Sequence, residues 1–275
     1  MTRLSIVIVS YNSKDDLENV LRSLTQPAPA VDYDVVVVDN ASTDGTPAYL
    51  RERWPGVGLI ASEANVGFAK ANNLGVRATV SELVLFLNPD TIVPPGVVDR
   101  LVSTLDTRRD VAIVGPRIVD GQGRAELSFG AMMTPWSELR QKLLVRGNDR
   151  GLPPFSTAVD RMTRRTHEVD WVSGACLMIR RADLDAVGGF DERFFMYTED
   201  VDLCASVRLR SRSVLFTADS EVVHLRGRSA ASAARATAEA YRRSQIAFYA
   251  KHHPGWVPLL RAYLKIRGRL PDTSF

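Results

Sequence analysis

The sequence is short of most features that mark an exported, membrane-spanning or nucleic-acid-binding chain. It has two cysteines in 275 residues, Cys176 and Cys204, far apart and in no Cys-x-x-Cys. That argues against a disulfide framework and for buried, reduced thiols in a cytoplasmic protein. No apolar run approaches the ~20 residues of a membrane span. Residues 4–9 already alternate into a strand and no cleavage site follows, so no signal peptide is expected. The net charge of +3 is too small to argue for nucleic acid without a patterned patch, and no RNA- or DNA-binding motif occurs. Two nucleotide signatures are also missing. No Gly-x-Gly-x-x-Gly follows the first strand, and no Walker Gly-Lys-Ser/Thr occurs anywhere.

What is present is a soluble globular composition, 45% hydrophobic and 24% charged, long enough for one large domain or two small ones. Residues 4–10 (Leu-Ser-Ile-Val-Ile-Val-Ser) read as a β-branched strand ending at Tyr11 and Asn12. Ser13 is placed to cap a helix with Asp16 as its capping-box partner, and Leu17, Val20, Leu21 and Leu24 share one face. A second buried strand over 34–40 ends at Asp39, and a turn at 41–46 leads into a helix reaching about Trp54. A short strand is expected over 57–61, a helix from about Ala69, a helix over 95–105 and a strand over 111–114. This alternation predicts a mostly parallel sheet with helices on both faces.

Residues 83–91, Leu-Val-Leu-Phe-Leu-Asn-Pro-Asp-Thr, are the centre of the pattern. Five apolar residues predict a strand buried on both faces. Pro89 lacks an amide hydrogen and biases Asn88 away from helix, so the chain must turn there. Parallel sheets bind ligands at the carboxyl ends of their strands, where Tyr11, Asn12, Asp39, Asn40, Asn88 and Asp90 fall. Asn88 and Asp90 can approach one hard cation such as Mg²⁺ or Mn²⁺, which could itself hold a diphosphate; the same residues are also ordinary turn formers. Asp39 can accept from a base imide or a ribose hydroxyl, or simply cap the next helix turn.

Residues 120–170 are irregular, punctuated by glycine and proline and rich in arginine, with one helix carrying Leu139, Leu143 and Leu144 on one side. A stretch of this kind reads as solvated surface or as a binding loop or lid. Residues 171–180 read as a strand with Gly174 near its start, where a backbone or ligand can approach closely. Thr198 can cap a helix whose first turn holds Glu199, Asp200 and Asp202. Three acids there suit the helix dipole, but a carboxylate pair behind an aromatic run is also a place for a catalytic base. Strands over 214–216 and 222–224 follow. His224 at a strand end is either a metal ligand or a structural histidine.

The order and spacing of these pieces resemble the family 2 glycosyltransferases, most of all the bacterial branch of rhamnosyltransferases. The residues that carry the resemblance are Ser10-Tyr11-Asn12; Val38-Asp39-Asn40 with Asp44-Gly45-Thr46; Asn65-Val66-Gly67-Phe68 with Asn72-Asn73; Asn88-Pro89-Asp90-Thr91; Gly174-Ala175; Gly188-Gly189-Phe190-Asp191-Glu192; Glu199-Asp200-Val201-Asp202-Leu203; and His224. The likeness spans about residues 3–230. It implies an α/β GT-A fold, a mostly parallel central sheet with helices on both faces, plus a C-terminal helical extension. Residues 1–228 would form the transferase domain, with a nucleotide-binding half over about 1–119 and an acceptor-binding half over about 120–228; residues 229–275 would be the extension.

The resemblance also implies roles. Ser10, Tyr11, Asn12, Asp39, Asn40, Asn65, Gly67, Asn72, Asn88 and Asp90 would line the nucleotide-sugar site, with Asp39 on the base. Asp90 matches the last acid of a metal-binding Asp-x-Asp, with Asn88 in place of the first, and His224 would complete the site for Mg²⁺ or Mn²⁺. Asp200 matches the general base, and Glu199, Trp171 and Gly174 would border the acceptor. Two departures stand out: Ser206 where an arginine is common, and Ser211 and Arg212 where a glycine often ends the helix.

The activity implied is an inverting transfer from a nucleotide-diphosphate sugar, dTDP-L-rhamnose or alternatively a UDP-sugar. The acceptor would be a hydroxyl of a glycan or polyprenyl-linked glycan. A nucleotidyltransferase would be expected to show a glycine-rich, Arg- and Lys-bearing loop after the first strand, and residues 10–14 have none. A non-catalytic carbohydrate-binding or scaffold module would be expected to lose Asp90 or Asp200, and both are present. At the C-terminus, residues 229–251 read as an Ala-rich helix. Trp256, Leu259, Leu260, Tyr263 and Leu264 share one helical face beside a basic stripe of Arg261, Lys265 and Arg269. That pattern suits either an interfacial helix on an anionic membrane, at its cytoplasmic surface, or a helix packed on the domain or in a homo-oligomer contact.

Overall fold

A computed structural model describes residues 2–225 and 234–271. In chain order the elements are β1 (Leu4–Ser10), α1 (Lys14–Thr25), β2 (Tyr33–Asp39), α2 (Thr46–Arg53), β3 (Gly58–Ala61), α3 (Phe68–Arg77), β4 (Leu83–Leu87), β5 (Thr91–Ile92), α4 (Val97–Thr107) and β6 (Val111–Val119). There follow β7 (Ala125–Glu126), β8 (Phe129–Gly130), α5 (Pro135–Asp149), α6 (Pro153–Met162), β9 (His167–Val169), β10 (Trp171–Val172), β11 (Cys176–Arg180), α7 (Arg181–Val187), α8 (Glu199–Leu209) and β12 (Ser213–His224). The chain closes with α9 (Ala234–His252), a 3-10 turn at Pro254–Trp256 and α10 (Val257–Ile266).

The main sheet runs β3-β2-β1-β4-β11-β6-β12-β5, with β7 beside β6 and β9 beside β12; β8 and β10 form a separate ribbon. β1 is parallel to β2 and β4, and β6 to β12. β11 runs antiparallel to both of its neighbours, β4 and β6. Strand side chains alternate between two buried faces. Leu4, Ile6 and Ile8 of β1 and Leu83, Leu85 and Leu87 of β4 pack with Leu17, Leu21, Leu101 and Leu105 of α1 and α4. Val7, Val84 and Phe86 point the other way, onto a core that includes Ala69 and Val76 of α3. Double-sided burial is why these strands read as unbroken apolar runs. Phe86 is fully buried and meets Phe190 edge-on at 4.7 Å, so truncating it to Ala would cost about 3–5 kcal/mol.

Several local expectations are corrected. No capping box forms at Ser13: its hydroxyl lies 3.0 Å from Ser10 Oγ, and Lys14 N–H donates to Asp44 Oδ2 at 3.1 Å. A carboxylate from the neighbouring turn serves that helix end, so no local acceptor is needed. Residues 171–180 are two strands, because Trp171 is held in the ribbon by its indole N–H to the Ala131 carbonyl while residues 176–180 join the main sheet. Residues 213–224 are one strand, because pairing with β6 resumes beyond an irregularity between Thr217 and Glu221.

The irregular stretch holds two helices. On α5, Leu144 packs inward while Leu139 and Leu143 are exposed. The inner face is taken by Glu138, whose carboxylate accepts from Gln245 and from Tyr249 Oη. The C-terminal face also divides. Leu264 is buried and Leu260 packs on the core, whereas Trp256, Leu259 and Tyr263 are exposed. α9 is part of the core through Phe248 and Tyr249; the expected helix over 229–233 lies outside the described residues.

Candidate active site

The carboxyl ends of β1, β2 and β4 reach one edge of the sheet, and β11, running the other way, starts there with Cys176 opposite Leu87. Residues 173–175 are therefore brought beside the turn after β4, where Asn88 N–H donates to the Ala175 carbonyl at 2.9 Å. That reversal joins the two halves of the site.

The turn continues into β5, which pairs with the end of β12, Thr91 opposite His224, and Leu225 N–H donates to the Asp90 carbonyl at 2.8 Å. This pairing brings Asp90 Oδ1 to 3.2 Å from His224 Nε2. Glu126 Oε2 lies 3.5 Å from Nδ1 on the other side of the ring. Burial alone would lower the imidazole pKa, but the hydrogen bonds to Asp90 and Glu126 outweigh it and push it up to about 9.

Adjacent ligands of an octahedral ion, each about 2.1 Å from the metal, sit about 3 Å apart, so the Asp90–His224 spacing suits Mg²⁺ or Mn²⁺. Among the described residues, no group of three or more His, Cys, Asp and Glu side chains converges as a metal site. Most of the coordination sphere would then fall to phosphate oxygens and water, a common arrangement for small hard cations. Asn88 stands at the same turn, where its carbonyl accepts from the Thr91 hydroxyl at 2.7 Å.

At the carboxyl end of β2, Asp39 Oδ2 accepts from Ser42 N–H at 3.0 Å. Its Oδ1 is buried with no hydrogen-bond partner among the described residues. A buried acceptor left open in this way fits a donor arriving with a ligand. Asn12 Oδ1 accepts from Thr43 N–H at 2.7 Å, and Tyr11 is exposed at the same edge. The side chains of Asn40, Asn65 and Asn72 are engaged within the protein. Asn40 donates to Asn65 Oδ1 and accepts from Val66 N–H, and Asn72 donates to the Phe68 carbonyl. Gly67 has φ +86°, and a Cβ there would lie 2.6 Å from the Phe195 carbonyl oxygen, so only glycine lets this loop close on residue 195. Phe68 N–H donates to that same oxygen at 2.6 Å.

Opposite stands Asp200. Its Oδ2 accepts from Gly174 N–H at 2.8 Å and its Oδ1 from Val201 N–H at 2.8 Å. A Cβ on Gly174 would come within 3.3 Å of Asp200 Cβ, a tight contact that would press Asp200 back by a few tenths of an ångström. Burial raises the Asp200 pKa, with the two amides working against it. Burial, and then the charge of Asp200, hold the Glu199 carboxyl well above the usual range and toward its neutral form. Both carboxyls are thus pushed toward their neutral forms, Glu199 more strongly, while only Asp200 has amide donors, from Gly174 and Val201, that favour its anion. Thr198 does not cap α8, because Tyr197 and Thr198 are left-handed (φ +69° and +63°) and no Thr198 side-chain bond reaches the first amides.

Asp202, one step on, is tied to α9 by Lys251 Nζ at 2.8 Å and His252 Nε2 at 2.6 Å. Trp171 flanks the site two residues before Ser173 and is anchored as described above. Ser211, where a glycine is common, takes φ +59° itself. Glu126, Lys251, His252 and Phe195 were not singled out from the sequence; all four act across large separations in the chain, and Glu126 sits on a two-residue strand with no periodicity to show it.

The family model described as glycosyl transferase family 2 matches residues 5–188. N-acetylglucosaminyl-diphospho-decaprenol L-rhamnosyltransferase of Mycobacterium tuberculosis (strain ATCC 25618 / H37Rv) is 32% identical, over 98% of this chain and 93% of its own. Rhamnosyltransferase WbbL of Escherichia coli (strain K12) is 26% identical, over 74% of this chain and 76% of its own. Among solved structures, the mannosyltransferase PcManGT from Pyrobaculum calidifontis, in complex with GDP-Man and Mn²⁺, aligns with a TM-score of 0.62 at 20% identity, covering 95% of this chain and 68% of that one. GalNAc-T7 with UDP, GalNAc and Mn²⁺ aligns with a TM-score of 0.66 at 18% identity, covering 95% and 51%. At such identities the structural likeness speaks to fold.

Proposed function

Starting from the fact that the chain belongs to glycosyl transferase family 2 and has the GT-A fold, we propose that it moves L-rhamnose from dTDP-L-rhamnose to a hydroxyl of a lipid-linked glycan acceptor, in the assembly of a cell-wall or surface polysaccharide. The observation that carries this reading is near full-length similarity to a relative named as an L-rhamnosyltransferase acting on N-acetylglucosaminyl-diphospho-decaprenol.

The residues supply a consistent mechanism. Asp39 Oδ1 accepts from the base imide. A divalent ion held by Asp90 and His224, with Asn88 at the same turn, would neutralise charge on the departing diphosphate. Asp200 takes the proton of the acceptor hydroxyl as that oxygen bonds to the anomeric carbon and the carbon–phosphate-oxygen bond breaks. A single displacement inverts the anomeric centre. Gly174 N–H keeps Asp200 aimed at the mouth of β11. Neutral Glu199 beside it can donate a hydrogen bond to the acceptor.

Among the described residues no helix is long and apolar enough to cross a membrane. A lipid-linked acceptor would be met at the cytoplasmic membrane surface, where the exposed Trp256, Leu259 and Tyr263 face of α10 would rest.

The test is a thermal-shift and donor-consumption screen of dTDP-L-rhamnose against UDP-sugars, with Mg²⁺ or Mn²⁺ and with chelator, using an N-acetylglucosaminyl-diphospho-lipid acceptor. Stabilisation and turnover are expected with dTDP-L-rhamnose and metal. Response to UDP-sugars alone would replace the donor, and full turnover in chelator would remove the metal.

A further inference from the structure

The outer face of α5 plays no part in the reaction described. The helix begins at Thr134, which forms a capping box with Ser137, so its position is locally specified. Trp136, Leu139 and Leu143 point outward, 76%, 51% and 53% exposed, at i, i+3 and i+7. Arg140, Arg146 and Arg150 are exposed among them. The one acid between residues 136 and 146 is Glu138, buried on the opposite side against Gln245 and Tyr249. Isolated apolar residues on a surface are ordinary. An ordered helical stripe of three large ones, flanked by three exposed arginines against one exposed acid, Asp149 beside Arg150, has the composition of an interfacial helix.

The placement of α5 supports one occupant. Glu138 meets Gln245 and Tyr249, while Lys142 Nζ lies 5.7 Å from the Tyr241 ring centroid. Later residues of α5 thus meet earlier residues of α9, and the two helices run antiparallel. The Trp136 end of α5 therefore lies at the end of α9 from which α10 departs. α10 repeats the pattern, with Trp256, Leu259, Tyr263 and Ile266 exposed and no acid between residues 253 and 271 to offset Arg261, Lys265, Arg267 and Arg269. α9 also supports the approach to the proposed base: Ser244 Oγ donates to the Met196 carbonyl at 2.8 Å, and the Tyr241 and Tyr197 rings are 6.1 Å apart.

We propose that α5 is a second membrane footing, seating Trp136, Leu139 and Leu143 in the interface of an anionic phospholipid bilayer while Arg140, Arg146 and Arg150 pair with lipid phosphates. Two footings near the same end of α9 would hold residues 196–200, which pack on this helix, at the lipid surface. This rests on the lipid-linked acceptor of the preceding section, and the charge of both faces selects an anionic bilayer over a neutral one.

The experiment compares partition of the full chain onto vesicles of phosphatidylglycerol and phosphatidylcholine in equal parts, and onto phosphatidylcholine alone. Four proteins are used: wild type, Leu139→Gln/Leu143→Gln, Arg140→Gln/Arg146→Gln, and Leu259→Gln/Ile266→Gln. All substituted side chains are exposed, so thermal midpoints and donor hydrolysis in solution should match wild type. Each α5 variant should lose about tenfold or more of its partition onto anionic vesicles, and the arginine variant most of its preference for them. If Leu139→Gln/Leu143→Gln partitions like wild type while the α10 variant does not, this inference falls and the membrane reading stands. If wild type itself ignores both vesicles, both fall. If ultracentrifugation shows that the α5 variant splits a wild-type dimer while vesicle binding persists, the face joins two copies and the proposal is overturned.

Discussion

The amide of Gly174 and the carboxylate of Asp200 meet at 2.8 Å, a bond between the start of the one reversed central strand and the first turn of a helix that follows it by some twenty residues. It leaves Asp200 anchored through both oxygens yet at the surface of the site. Asp200→Asn keeps the shape and removes the base, so kcat should fall by about 10²–10⁴. Donor Kd, measured by calorimetry, should barely move, because Asp39 and Asp90 lie on other strand ends. Near-normal turnover would assign the base elsewhere.

Asp39 offers a separate reading of the donor. Its open Oδ1 is expected to hold the base, and a hydrogen bond to a charged group is worth about 1.5–3 kcal/mol. Asp39→Ala should therefore weaken binding of the nucleoside diphosphate by about 10–100-fold, with a smaller change in kcat once donor saturates. Isothermal titration with the free nucleotide separates the two effects.

Asp202 is pinned by Lys251 and His252 on α9. Asp202→Asn should lower stability by about 2 kcal/mol in chemical denaturation while turnover falls much less than in Asp200→Asn. If Asp202→Asn were the deader enzyme at temperatures where it is folded, the two carboxylates would have to exchange roles.

For His224 the folded pKa, about 9, lies above its ordinary value of 6.5. A raised histidine contributes stability that is complete below about 6.5 and is lost as pH climbs through about 9. The metal-free protein should therefore lose thermal stability across that window, and His224→Gln should flatten the loss. Mn²⁺ binding in the presence of nucleoside diphosphate should tighten over the same window, since the proton must leave before the ring can ligate. Glu126→Gln should bring the His224 titration, followed by NMR, to lower pH.

Glu199 has the opposite sign. A carboxyl raised by burial keeps its proton in the folded state, so stability declines as pH rises from the unfolded value of 4.5 toward the folded one. Glu199→Gln should melt higher than wild type near neutral pH and should show no such advantage at about pH 4. Equal midpoints at both values would mean that Glu199 ionises freely.

Much of this was legible in the residues themselves. Strands such as residues 4–10 and 83–87 are buried on both faces, and apolar runs report that directly. Strand-end residues such as Asp39 and Asp90 follow from the parallel order. Helix ends were less readable: Ser13 and Thr198 have the right chemistry for caps, but Asp44 and a left-handed backbone decide those ends. Glu126 and Lys251 could not be found by pattern, because their partners, His224 and Asp202, are 98 and 49 residues away and only the fold joins them. On α5, helical period alone could not tell which leucines turn inward, since the choice depends on Glu138 meeting α9.

The antiparallel run of α9 has a consequence for exchange of parts between relatives. Phe248 and Tyr249 fill the core, Glu138 takes its partners from this helix, and Asp202 is neutralised by it. A chimera that imports residues 120–225 to change acceptor preference, but keeps the recipient's own tail, would inherit mismatched keys at all three contacts. The transplantable unit is therefore discontinuous in its logic although continuous in the chain: whatever replaces residues 120–225 must bring its terminal helices along.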